Sequence, residues 1–405
     1  MKLLIADKFE AHAIEELKHL AVEVVYDPEL TKDTLPGKLA GVGILIVRST
    51  QVTSAAIEAG TALHLIVRAG AGTNTIDVQA AATRGIYVAN CPGKNAVAVA
   101  ELTMGLICAL DRRIPDAVAQ LRSKRWEKGE LSKADGLHGK TLGLAGFGAI
   151  AREVAHRARA FGMNVLAMSR TLTAQRAAEH GVGFARSLEE LASRSHVLSI
   201  HLPLTERTRG VISKSILDSL PDRAMVVNTA RFELLDYAAL KAAVASKGLR
   251  VGLDVFPDEP AGSSAAFESD LFDGGAQGLV YGTPHIGAST TQAQNAIAAE
   301  TVRIVRSFLV SGDVPNVVNV CARSPARYQM VVRSLDKVGV LANVLGVVKR
   351  HGLNVEELSS TIFDGAIAAC TKFRVTGRPS EACIAEIRAF SEVMGVDVVA
   401  LPNLA

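Results

Sequence analysis

His285, Glu259 and Arg231 are of the types that together move a proton and hold an anion. His285 stands in Gly282-Thr283-Pro284-His285-Ile286-Gly287, a turn-rich stretch without helical or strand periodicity, so it does not read as a core face. Glu259, in Asp258-Glu259-Pro260, could orient an imidazole and favour its protonated form. Arg231 follows the apolar run 224–228, at a sheet edge of the kind where open α/β folds bind ligands. Hydride exchange at an alcohol carbon needs one group for the hydroxyl proton and a cation for a neighbouring carboxylate. These three suffice without a metal. Each alone reads more readily as structural, and spacing does not bring them together.

A glycine loop points to the other reactant. Gly146-Phe147-Gly148-Ala149-Ile150-Ala151 fits G-x-G-x-x-A between an expected strand at 141–146 and a helix at 150–161. Gly146 permits the tight turn, Gly148 lets a pyrophosphate approach the backbone, and Ala151 keeps helix and strand close. The helix start offers N–H groups and a positive dipole end. A carboxylate for the adenosine ribose is expected about 20 residues further on. Ser169-Arg170 stands there instead, and an arginine can pair with a 2′-phosphate, so the corner leans to NADP over NAD.

An α/β fold must position these groups. Strands are expected at 2–5, 22–26, 43–47 and 63–67 with helical patterns between them, the signature of βα units on a parallel sheet. A helical pattern over 97–121 reads as a spine between two lobes. The second series has strands at 141–146, 165–168, 196–201, 224–228, 250–255 and 278–281, and Gly162 stops its first helix. Ser289 and Gln292 resemble a capping box for a helix to about 310. Gly312, Pro315 and Pro325 mark a linker. Beyond it come a strand at 328–332, a helix at 340–351, two strands, a helix at 380–393 and a strand at 396–401. That βαββαβ order predicts a small ferredoxin-like domain.

Composition sets the bounds. A chain of 405 residues suggests two or three domains. Aromatics are 4%, so the core must be built from Ala, Val, Leu and Ile. A net charge of +3 is too small to imply a nucleic-acid or anionic-membrane partner. No continuous apolar stretch approaches the ~20 residues of a membrane span. Asp7 and Glu10 interrupt the start where a signal peptide would stay apolar. Cys91, Cys108, Cys321, Cys370 and Cys383 form no C-x-x-C pair and read as thiols in a reducing compartment, the cytoplasm, not as a disulfide frame or zinc site.

Six segments in order resemble one family over about residues 1–320. They are Ile66-Val67-Arg68-Ala69-Gly70-Ala71-Gly72, Gly139-Lys140-Thr141-Leu142-Gly143 with the glycine loop, His201-Leu202-Pro203-Leu204-Thr205, Val227-Asn228-Thr229-Ala230-Arg231, Leu253-Asp254-Val255-Phe256 with Glu259-Pro260, and Pro284-His285-Ile286-Gly287. The family is the D-isomer-specific 2-hydroxyacid dehydrogenases. The resemblance implies two Rossmann-like, doubly wound lobes: a substrate-binding domain of 1–98 and 286–320, and a dinucleotide-binding domain of 99–285. It implies that Arg231 binds substrate, that Glu259 supports the histidine and that His285 is the acid/base. Gly146, Gly148, Ala149, Ile150 and the Ser169-Arg170 corner would lie along NAD or NADP. Pro203 and Thr208 would lie near its adenosine half and Asp254 by the nicotinamide, with Thr229 and Gly287 also among the cofactor-binding residues. The backbone of Ala71 and Gly72 would hold the substrate carboxylate.

Within the family the chain is most similar to the branch that oxidises 3-phosphoglycerate in serine biosynthesis. Arg48, Ser49 and Arg68 resemble its phosphate-facing segment. Leu335-Asp336-Lys337-Val338-Gly339-Val340-Leu341 and Gly352-Leu353-Asn354 resemble an ACT domain over 325–405. That implies an amino-acid effector at Asp336 and Asn354, and pairing of copies in a homodimer or homotetramer. Two departures stand out. Phe232-Glu233 follow Arg231 where the family carries two glycines, and Ser334 stands where serine-regulated members often carry a histidine. Two rival readings are a glyoxylate or hydroxypyruvate reductase, favoured by Ser169-Arg170, and a non-catalytic dinucleotide-sensing co-repressor, opposed by the Arg231, Glu259 and His285 set.

Overall fold

The fold is that of a computed structural model, which describes residues 1–257, 259–260, 265–272, 279–321 and 324–402. Asp258, the expected strand start at 278 and the domain end at 403–405 lie outside the described residues. Contacts divide the chain into two units, Met1–Asn319 and Val320–Ala405.

The first unit holds two parallel sheets. One is five-stranded, with β1 (Lys2–Ile5), β2 (Glu23–Tyr26), β3 (Val42–Val47), β4 (Leu65–Arg68) and β5 (Tyr87–Asn90) in the order β2-β1-β3-β4-β5. Every residue of β3 is buried, as in a parallel strand covered on both faces. One face is covered by the helices Ala11–Lys18 and Thr291–Ser311. Leu3, Ile5, Ile44 and Val67 pack there with Ile297, Val302 and Val305. The other sheet is seven-stranded, with β6 (Thr141–Ala145), β7 (Asn164–Met168), β8 (Gly183–Phe184), β9 (Val197–Ile200), β10 (Met225–Asn228), β11 (Arg250–Leu253) and β12 (Leu279–Gly282). Its order is β12-β11-β10-β9-β6-β7-β8, so the winding reverses between β6 and β9. A crevice at such a switch point binds ligands at the carboxyl ends of the strands.

The structure departs from expectation in places. The spine expected over 97–121 is two helices, Ala96–Arg112 and Ile114–Arg122, broken at Arg113 with φ 51°. Pro115 has no N–H to donate and its ring crowds the preceding turn, so it fits only a new first turn. The last long helix of this unit is capped by Thr290, not Ser289: Thr290 Oγ1 accepts from Ala293 N at 3.1 Å. β5 and β8 were not expected; both are short and lack a strong apolar run. The helix expected at 380–393 is Glu381–Arg388, because the chain turns into the last strand at Val393.

The second unit is an antiparallel sheet of β13 (Tyr328–Leu335), β14 (Val355–Ile362), β15 (Ala368–Val375) and β16 (Val393–Ala400), ordered β14-β15-β13-β16. The helices Val340–Arg350 and Glu381–Arg388 pack over Met330, Val332 and Phe373. This is the expected βαββαβ order. β14 is an edge strand with exposed Leu358 and Ile362. Among the described residues no helix is long and apolar enough to cross a membrane.

Candidate active site

The loop 283–287 follows β12 and holds His285 at φ 52°, a conformation that costs a non-glycine residue energy and must be held by its surroundings. Asp254, just past β11 and buried, does much of the holding. Its carboxylate accepts from Thr283 Oγ1 at 2.6 Å, Ile286 N at 2.9 Å and Gly287 N at 2.8 Å. A Cβ on Gly287 would stand 2.8 Å from the same carboxylate, so only glycine allows the approach. His285 Nδ1–H then donates to Glu259 Oε2 at 2.6 Å, and Phe256 N–H fixes the other oxygen of Glu259 at 2.9 Å. The bond to Glu259 raises the His285 pKa against an opposing effect of burial. Burial pushes Glu259 up, but its bonds from His285 and Phe256 prevail and lower it. With Nδ1 occupied, Nε2 is the ring nitrogen left for a substrate.

Arg231 leaves the end of β10. The buried amide of Asn228 shapes its turn, donating to Arg231 O at 2.9 Å and accepting from Ala230 N at 3.0 Å. The guanidinium crosses toward the first sheet: a Cβ on Gly72 would stand 2.7 Å from Arg231 Nη2. Arg68 ends β4 and lies over Gly70, whose missing side chain leaves room for Nη1. Burial lowers the Arg68 pKa, and the charges of Arg231 and Arg48 lower it further. Arg68 Nε is buried without a hydrogen-bond partner among the described residues. Three cations from three strand ends therefore share one region.

The sequence reading passes over the group that holds Arg48 and Ser49. Asp7, just beyond β1, accepts from Arg48 N at 2.6 Å, Ser49 N at 3.1 Å and Thr50 N at 3.1 Å. A carboxylate two residues past an apolar strand was its only signal. Asn90, also passed over, donates to Ala71 O at 2.6 Å. The N–H groups of Ala71 and Gly72 carry no backbone hydrogen bond among the described residues and are free to act as donors.

The glycine loop fits a dinucleotide pyrophosphate. Gly146 has φ 99°, and a Cβ there would meet His201 O at 2.4 Å. A Cβ on Gly148 would meet nothing within 4 Å, so open space lies over the backbone there. The helix Ala149–Ala160 starts at Gly148 without a side-chain cap, leaving its first N–H groups available. Ile150 is half-buried in that first turn. Ser169 and Arg170 follow β7, with Arg170 exposed and without an ion-pair partner among the described residues. Thr208 Oγ1 donates to Pro203 O at 2.6 Å and accepts from Thr205 N at 2.8 Å, closing the turn that carries both. Thr229 is buried against Thr103, hydroxyl to hydroxyl at 3.0 Å. Burial brings His201 down to about 4, so it is neutral beside this loop.

In the second unit, Asp336 N donates to Ile367 O at 2.9 Å, and the Asn354 amide donates to Glu356 Oε1 at 2.6 Å. Ser334 is buried.

Residues 104–287 match the family described as D-isomer specific 2-hydroxyacid dehydrogenase, NAD binding domain. A D-3-phosphoglycerate dehydrogenase from Methanocaldococcus jannaschii is 36% identical over 85% of this chain and 64% of its own length. The chain thus spans under two thirds of that relative. A hydroxypyruvate reductase from Thermotoga maritima is 41% identical over 73% of this chain and 96% of its own. Among solved structures, an NAD⁺-bound 3-phosphoglycerate dehydrogenase from Entamoeba histolytica has TM-score 0.66 at 28% identity, covering 79% of this chain and 99% of its own.

Proposed function

Because the chain belongs to the D-isomer specific 2-hydroxyacid dehydrogenase family, we propose that it interconverts a D-2-hydroxy acid and its 2-keto acid with a nicotinamide dinucleotide, and that the hydroxy acid is 3-phosphoglycerate. The carrying observation is that Arg48 and Arg231 both stand close enough to the largely buried Arg68 for their charges to lower its pKa, and that Arg68 Nε has no hydrogen-bond partner among the described residues. One carboxylate asks for Arg231 and the Ala71 and Gly72 N–H groups. Arg48 and Arg68 then call for a second anionic group, and a phosphate meets that demand. Asp7 supplies one opposing charge from its place against the backbone of residues 48–50, and the three arginines still exceed it.

In oxidation, neutral His285 accepts the hydroxyl proton at Nε2, and Glu259 stabilises the resulting imidazolium. In reduction the same nitrogen returns the proton. Arg231 holds the carboxylate and orients the C2 atom. Gly146, Gly148 and the N–H groups of the helix beginning at Ala149 would hold the pyrophosphate of a nicotinamide dinucleotide, which would supply the hydride chemistry. Closure of the two lobes excludes water from the hydride path. The Ser169-Arg170 corner supports NADP over NAD, and titration of both cofactors decides it.

Arg48→Ala should raise KM for 3-phosphoglycerate by about tenfold or more, the loss of a hydrogen bond to a charged group. KM for glycerate should barely change. A loss common to both would make Arg48 structural. The identity over nearly the whole Thermotoga reductase favours a second reading, reduction of hydroxypyruvate or glyoxylate. The same assay on those keto acids decides between the two.

The exposed apolar edge at β14 supports a second copy pairing there, with Asp336 and Asn354 offering a carboxylate and an amide to a free amino acid. Deleting 320–405 should weaken self-association in light scattering and abolish calorimetric binding of any amino acid. An intact chain that binds none of them leaves the tail an assembly element.

A further inference from the structure

Phe232 follows Arg231 directly, and neither the acid/base pair nor the arginine cluster uses it. Its ring packs edge-on against Tyr237, with centroids 5.4 Å apart and planes at 67°. The Tyr237 hydroxyl donates to Asp270, and Lys241 Nζ donates to the other oxygen of that carboxylate at 2.6 Å. Asp270 lies between Phe267 and Phe272. Both rings pack on Phe256, with centroids at 5.1 and 5.7 Å. Phe256 N–H is the group that fixes Glu259. The cluster also needs Gly282 bare: a Cβ there would stand 2.6 Å from the Phe256 ring and 3.1 Å from that of Phe272. Gly282 opens the turn that leads to His285. Side-chain contacts, joined through the short run of chain 267–272, thus lead from the residue beside Arg231 to the carboxylate beside His285.

We propose that Phe232, Tyr237, Asp270, Phe256, Phe267 and Phe272 form an aromatic strut that holds the Arg231 turn and the Glu259 loop in fixed register, which makes them positioning residues for the reaction. The inference rests on the proposed roles of Arg231, Glu259 and His285. Its logic is geometric. A substrate held at one end by Arg231 and deprotonated at the other by His285 tolerates little change in the distance between them. Two glycines after the arginine would leave that distance to the backbone alone. Five aromatic rings and a bound carboxylate tie it to the far loop.

The test uses the intact chain. Tyr237→Phe removes one hydroxyl and keeps the ring against Phe232. Lys241 still holds Asp270, so the effect is partial. We expect the His285 limb of the kcat/KM profile to move down by about half a pH unit and KM for the hydroxy acid to rise about threefold. Cofactor Kd should not change. Phe272→Leu should shift the limb in the same sense, and the double variant should do little more than the larger single change, because both cut one connection. Phe232→Gly should raise KM, while Phe232→Tyr should restore it. Folded Tyr237→Phe and Phe272→Leu variants with wild-type pH profiles and KM would overturn the strut. If Glu259→Gln also leaves the limb in place, the acid/base reading fails instead.

Discussion

His285→Ala lowers kcat by about a hundredfold or more while cofactor Kd stays near the wild-type value. The separation follows from the geometry. The loop carrying His285 is held to Asp254 by the N–H groups of Ile286 and Gly287, which alanine at 285 leaves in place, whereas the imidazole is the group that exchanges the hydroxyl proton. Near-wild-type turnover would remove the assignment. The pH dependence has a definite sign. Glu259 raises the folded pKa of His285 above its ordinary value near ~6.5. In oxidation His285 must be neutral, so the acid limb of kcat/KM lies above that value, and Glu259→Gln moves it down. For stability, a raised folded pKa means that the pair's contribution is full below the ordinary imidazole pKa. It is lost as pH rises through the raised value.

Gly146→Ala destabilises the chain by about 3 kcal/mol and abolishes measurable cofactor binding. The φ of 99° is unfavourable for any residue with a Cβ, and that Cβ would lie 2.4 Å from His201 O. The obstacle is backbone, so no rotamer change relieves it. Relief requires β6 and the turn after β9 to separate, which moves the start of the helix Ala149–Ala160 that would hold the pyrophosphate. Urea unfolding and cofactor titration check both effects. A variant with wild-type midpoint and Kd would show that the loop is not built as described.

Much of this site was legible in the sequence because it sits on regular elements. The glycine loop lies between an apolar strand and an amphipathic helix, and His285 and Arg231 each follow strands whose apolar runs are plain. What was not legible depends on contacts between distant residues. Asp7 read only as a charge near the start, because its bonds to residues 48–50 arise from β1 and β3 lying side by side. The convergence of Arg48 and Arg68 with Arg231 needs both lobes in place. The helical pattern over 97–121 is continuous in its apolar positions, and only the ring of Pro115 marks the break at Arg113. Phe232 read as an intrusion, since its partners Tyr237 and Asp270 have no motif.

The helix Thr291–Ser311 covers a sheet made by the first ninety residues, yet the whole second sheet precedes it in the chain. During synthesis, then, Leu3, Ile5, Ile44 and Val67 emerge long before Ile297 and Val302 can bury them. The second lobe has no such debt and can fold as it leaves the ribosome. The amino-terminal lobe is therefore the last part of this unit to mature, and until it does its bare apolar face is a target for chaperones and proteases.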